Sequence, residues 1–131
     1  MSRGGRTGQG LVTGVSNRPI AYSPTVTWAG NTITTQSGFY LKLPGLLLVW
    51  VSFVESAGAA NNTLTITIPT GYTAVTHTGS LTAGVGTIAT LATNNFQMGA
   101  AAGATTSIAS LSIVTGTVGT YSGFFCIPTT N

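Results

Sequence analysis

The chain has 131 residues, and only five carry a formal charge at neutral pH: Arg3, Arg6, Arg18, Lys42 and Glu55. That is 4% charged against roughly 25% in an ordinary soluble domain, and a single Glu with no Asp excludes paired-carboxylate catalysis and carboxylate cages for calcium or magnesium. An apolar share of 43% still suffices for a folded core, so the shortage of charge does not signal disorder.

Residues 1–18 are expected to form an extended, flexible N-terminal arm: they are rich in glycine, hold three of the four cations and show no sustained apolar pattern. The formal net charge is +3, and Arg3, Arg6 and Arg18 supply all of it, because Lys42 and Glu55 offset one another in the body. The body is expected to span 19–131 as one domain with one core. Nothing at the start resembles a signal peptide, and Cys126 has no second cysteine to pair with, so synthesis in a cytoplasm is the expectation.

From Val26 onward short β-rich runs alternate with turn clusters, and no helical apolar stripe lasts beyond two turns. The expected strands are 25–28, 32–35, 38–43, 46–55, 63–68, 73–78, 87–93, 105–115 and 121–127. Breakers fall between them at Ala29-Gly30-Asn31, Pro44-Gly45, 57–62, Pro69-Thr70-Gly71, Gly79, 83–86, the glycine-alanine stretch 99–104 and 116–119. The stretch 99–104 reads as a loop. The result is an all-β chain, an antiparallel two-sheet β-sandwich of about eight to nine short strands.

Alternation assigns faces. In the run 63–68, Leu64, Ile66 and Ile68 point one way and three threonines the other, which marks a strand with one buried face. The run 46–55 differs. One face holds Leu46, Leu48, Trp50, Ser52 and Val54, and the other holds Leu47, Val49, Val51, Phe53 and Glu55. A sandwich strand buries one face on the core, so the second needs a cover, either draped loops or another subunit. The same double-sided character in 121–127 favours a subunit contact, since two such strands side by side make a patch too large for a monomer to expose. Trp50, Phe53, Tyr121 and Phe124 are the candidates for core or trimer packing.

Candidate chemistry is sparse. Cys126 and His77 are the only nucleophile and base available as a pair; Cys126 sits in an apolar strand where free cysteine behaves as a small buried hydrophobe. No enzymatic activity, cofactor or metal is expected, although three copies of His77 on an axis would be able to hold a metal or an anion. The longest mostly apolar run, 46–54, is too short to span a bilayer as a helix. The Arg3-Gly-Gly-Arg6 step has no aromatic residue for stacking on bases, so a negatively charged protein surface is favoured over nucleic acid as its partner.

Three stretches resemble the jelly roll of the complement globular-head and tumour-necrosis-factor type. Gly38-Phe-Tyr-Leu-Lys-Leu-Pro44-Gly45-Leu46-Leu-Leu-Val is similar to that family's step through a corner into a long core strand. Ile108-Ala-Ser-Leu-Ser-Ile-Val114 is similar to its penultimate strand, and Thr120-Tyr121-Ser122-Gly123-Phe124-Phe125 to its closing strand. The resemblance implies a homotrimer. The chain lacks the family's collagen stalk, anchor and acidic calcium ligands, and in its uncharged Thr/Gly/Ala-rich composition it is similar to bacteriophage capsid cement or decoration proteins. The expectation is a structural virion protein, a homotrimer on the outer surface of a phage head that binds the major capsid protein through Arg3, Arg6 and Arg18. The rival is a receptor-binding fibre or spike tip. There, Trp28, Tyr22 or Tyr72 beside Asn61, Asn62, Asn94 and Asn95 would recognise a host-surface sugar.

Overall fold

The computed structural model describes residues 18–75, 86–90, 95–100, 106–110 and 114–131. The described strands are β1 (Ile20–Tyr22), β2 (Val26–Trp28), β3 (Thr32–Leu43), β4 (Leu46–Ala57), β5 (Asn61–Asn62), β6 (Leu64–Thr67), β7 (Gly86–Thr90), β8 (Asn95–Ala100), β9 (Ser107–Ser110), β10 (Val114–Thr115) and β11 (Gly119–Pro128). No described residue is helical.

Strand pairing is nested. β7 pairs with β8, β6 with β9, β5 with β10 and β4 with β11, all antiparallel. This is one long hairpin of strand pairs, and rolling it up sets β7 beside β11 and β8 beside β9. The product is a jelly roll, the two-layer antiparallel sandwich. The layers share hydrogen bonds through β7 and β8, so nine strands run in the continuous order β1-β3-β4-β11-β7-β8-β9-β6-β2, with β5 and β10 as a separate pair. β2, at the far end of that order, returns to β3, where Val26 N donates to Gln36 Oε1 at 2.6 Å.

The core lies between the layers. β4 contributes Leu47, Val49, Val51 and Phe53, β11 contributes Tyr121, Phe125 and Ile127, and the opposing layer contributes Trp28, Leu64, Ile66, Met98 and Ile108. Phe53 stacks on Tyr121 with ring centroids 5.1 Å apart, and Trp28 meets Tyr121 edge-on at 5.6 Å. Each such fully buried side chain stabilises the fold by roughly 1.5–3 kcal/mol through removal of apolar area from water. The Tyr121 hydroxyl donates to Thr117 O at 2.7 Å, so its polar end is not stranded.

Several expected boundaries move. The runs 32–35 and 38–43 form one strand, because Gln36 and Ser37 are not breakers and register shifts between Thr32 and Gln36 absorb the irregularity. Of the expected run 73–78, the described part shows only an Ala74–Thr129 bridge. Gly99 and Ala100, expected in a loop, continue β8 opposite Ala109 and Ile108; glycine has no side chain to pack but still offers its backbone to the ladder. β1 was not expected, since three residues between prolines carry too little periodicity to register as a strand.

Asn31 organises one end of the sandwich. Its amide Nδ2 donates to Ala60 O and its Oδ1 accepts from Ala60 N, both at 3.2 Å, as a backbone partner would. Gly58 and Gly116 close over this amide, and a Cβ on Gly116 would lie 1.9 Å from Asn31 Oδ1.

Candidate functional site

The register of β3, β4 and β11 converts three separate alternations into rows across one outer face. Phe39, Trp50 and Phe124 lie opposite one another, as do Leu41, Leu48 and Cys126 one step along, and Leu43, Leu46 and Pro128 beyond them. On the other side of the aromatic row stand Ser37, Ser52 and Ser122. All of these point away from the core, because their neighbours Leu47, Val49, Val51, Phe53, Tyr121 and Phe125 point into it.

The aromatic row is open to solvent. Phe39 is 52% exposed, Phe124 43% and Trp50 37%, and the Trp50 and Phe124 rings touch at 5.2 Å between centroids. Between the aromatic and serine rows lies a shallow recess of about 230 Å³. The four rows hold no charged side chain, and their one thiol, Cys126, is exposed rather than buried. The expectation that Cys126 sits inside the core is therefore corrected: it shares the parity of Phe124, not of Phe125 and Ile127.

The four aromatic residues singled out from the sequence divide into two pairs. Phe53 and Tyr121 stack inside the core, whereas Trp50 and Phe124 stand outside it. Phe39 completes the outer row and is missed by the sequence reading, although the alternation of Phe39, Leu41 and Leu43 against Tyr40 and Lys42 carries the signal. Arg18 is exposed at the start of the described residues, while Arg3, Arg6 and His77 lie outside them.

Lys42 and Glu55 do not form a pair. Lys42 is opposite Leu47, eight residues along β4 from Glu55, a separation of roughly 26 Å at about 3.3 Å per residue. Lys42 is 2% exposed, donates from Nζ to Leu43 O and lies 5.8 Å from the centroid of the Tyr72 ring. Glu55 is wholly buried, and neither carboxyl oxygen has a hydrogen-bond partner. Among the described residues, Arg18 is thus the sole exposed formal charge.

The residues proposed for sugar contact also divide. Trp28 is 2% exposed, with Nε1 donating to Asn62 O, and Asn62 Nδ2 donates to Ala29 O at 2.7 Å. Both are occupied in holding the fold. Asn94 and the side chain of Asn95 lie outside the described residues, and Tyr22 and Tyr72 meet elsewhere, beside Tyr40.

Among the described residues no group of three or more His, Cys, Asp or Glu side chains converges in metal-binding geometry. No family model, curated protein or solved structure matches the chain.

Proposed function

We propose that this chain is a structural virion protein that self-associates through the outer face of β3, β4 and β11, as a homotrimer, and decorates the outside of a phage head. The observation that carries this reading is the row Phe39–Trp50–Phe124 with its aliphatic flank, an uncharged apolar surface on an otherwise wet sandwich. Contiguous patches of that character are covered in working proteins, since leaving them in water forfeits about 25 cal/mol per Å². A second copy is the occupant favoured by chemistry: the face has no charge with which to select a charged partner, and identical uncharged faces meet without repulsion.

The capsid assignment rests on the resemblance in composition and strand order, and on the three arginines before the body. In this reading the trimer body projects from the shell and the arm around Arg3, Arg6 and Arg18 lies on an acidic coat surface. Attachment of this kind ties neighbouring coat subunits together and opposes outward pressure on the shell.

Two measurements test it. Light scattering of the purified protein at micromolar concentration should give three times the chain mass; a monomer would remove the basis of the reading. Mixed separately with stripped capsids and with host cells, the protein should sediment with the capsids. Sedimentation with the cells alone would transfer the assignment to a receptor-binding tip.

A further inference from the structure

Away from the apolar face, a second concavity of about 610 Å³ opens between β1, β3 and the turn that follows β6. That volume is within the ~300–1,000 Å³ typical of small-molecule sites. Three tyrosines wall it. Tyr22 meets Tyr40 at 5.9 Å and 79°, and Tyr40 meets Tyr72 at 5.6 Å and 65°. Thr67, Thr70 and Thr106 are among the other residues that line it.

The walls are held in place. Tyr22 crosses between layers to donate to Thr67 O at 3.2 Å, and its ring lies against Gly38, where an added Cβ would come within 2.6 Å of Tyr22 Cε1. Tyr72 lies over the Lys42 ammonium, with Nζ 5.8 Å from the ring centroid. An edge-to-face pair covers one ring face where a parallel stack covers two. All three rings also pack against the core but are only partly buried, and the part left uncovered lines the cleft.

The chemistry of the lining selects a ligand class. No lining residue carries a charge at neutral pH, and burial raises the pKa of the Tyr22 and Tyr40 phenols, so both remain hydroxyls. The nearest cation, Lys42, is buried beneath Tyr72 and engaged with Leu43 O, so an anion gains no ion pair. A wholly apolar ligand would strand the hydroxyls of Thr70 and Thr106 at the rim without partners. A molecule with an apolar C–H face and a rim of uncharged hydroxyls satisfies both components of the wall.

We propose that this tyrosine cleft binds a neutral saccharide, one sugar ring packing on the open part of a tyrosine ring while the hydroxyls of Thr70 and Thr106 exchange hydrogen bonds with its rim. The site is separate from the self-association face and does not depend on the capsid assignment.

The test is saturation-transfer NMR on the full chain with the methyl glycosides of glucose, galactose, N-acetylglucosamine and rhamnose at about 10 mM, set for a Kd on the order of 1 mM. Transfer to at least one glycoside is expected. It should weaken about tenfold or more in Tyr72→Ala, be largely retained in Tyr72→Phe, which keeps the ring, and be unaffected by Phe124→Glu on the other face. If Tyr72→Ala does not fold, Thr106→Arg, which fills the cleft from an exposed position, takes its place with the same expected loss. Absence of transfer to all four glycosides overturns the proposal. So does transfer that survives cleft variants but disappears in Phe124→Glu, which would place the sugar on the aromatic row instead.

Discussion

Glu55 is the chain's single acidic side chain, and the fold buries both of its oxygens without a hydrogen-bond donor. A polar group in that state costs the fold its lost hydration, on the order of 1–3 kcal/mol. Glu55→Met, which keeps the length and discards the acceptors, should therefore stabilise the protein by about 1–3 kcal/mol in urea unfolding. A loss of stability would mean that the carboxyl has a partner in solution. Tyr22 makes the opposite kind of contribution, since burial raises its phenol's pKa above the ordinary value of about 10. The sign follows from proton counting: above pH 10 the unfolded chain releases this proton while the folded chain keeps it. Stability is fully present below that pH and falls as pH rises above it, by up to about 1.4 kcal/mol per pH unit. Thermal melts in alkali should show the decline, and Tyr22→Phe should flatten it.

At the scale of the element, β4 and β11 each carry two faces with different tasks. The inner face stacks Phe53 on Tyr121, and the outer face sets Trp50 against Phe124. Phe124→Glu places a charge in the middle of the outer row without touching the core, so the chain should stay folded while self-association weakens by about 2–4 kcal/mol. Light scattering and circular dichroism together separate those effects. Cys126 supplies a native probe on the same face: maleimide should label it at least about tenfold more slowly in the assembled protein than in Phe124→Glu. Equal rates would place the contact elsewhere. The double-sided character of 46–55 is legible in sequence because alternation separates Trp50 from Phe53 within one strand. Which side faces the core is not legible, because that depends on the opposing layer. Nor is the complete row, because Phe124 reaches Trp50 only through pairing of the distant β11 with β4, although Phe39 and Trp50 face each other across the local hairpin at Pro44-Gly45. The tyrosine cleft is hidden for the same reason: Tyr22, Tyr40 and Tyr72 come from three elements. The turns at Pro44-Gly45 and Pro69-Thr70-Gly71 are legible, since glycines 45 and 71 adopt φ of 69° and 96°, which other residues avoid.

For the whole molecule, the distribution of charge would separate the two kinds of adhesion that the proposed function calls for. Burial of Lys42 and Glu55 leaves the described surface almost free of formal charge, so the proposed contacts between copies would have little for salt to screen. Self-association measured by sedimentation should change little between about 0.05 M and about 0.5 M NaCl. Attachment to a shell through Arg3, Arg6 and Arg18 should weaken over that range, and deletion of residues 1–18 should abolish the salt-sensitive part while the trimer persists. Salt-sensitive trimers, or attachment unchanged by the deletion, would contradict this division of labour.

The nesting of the strand pairs also has a temporal meaning. β4 finds its neighbour β11 only after every intervening described strand has been synthesised, and pairings so distant along the chain close slowly. Phe39 and Trp50 are translated early, yet the row they belong to does not exist until Phe124 has followed. A nascent or truncated chain therefore lacks the finished surface, and under the proposed function recognition between copies would be reserved for molecules whose synthesis has passed β11. In that reading the topology would act as a proofreading step, delaying assembly until the roll has closed.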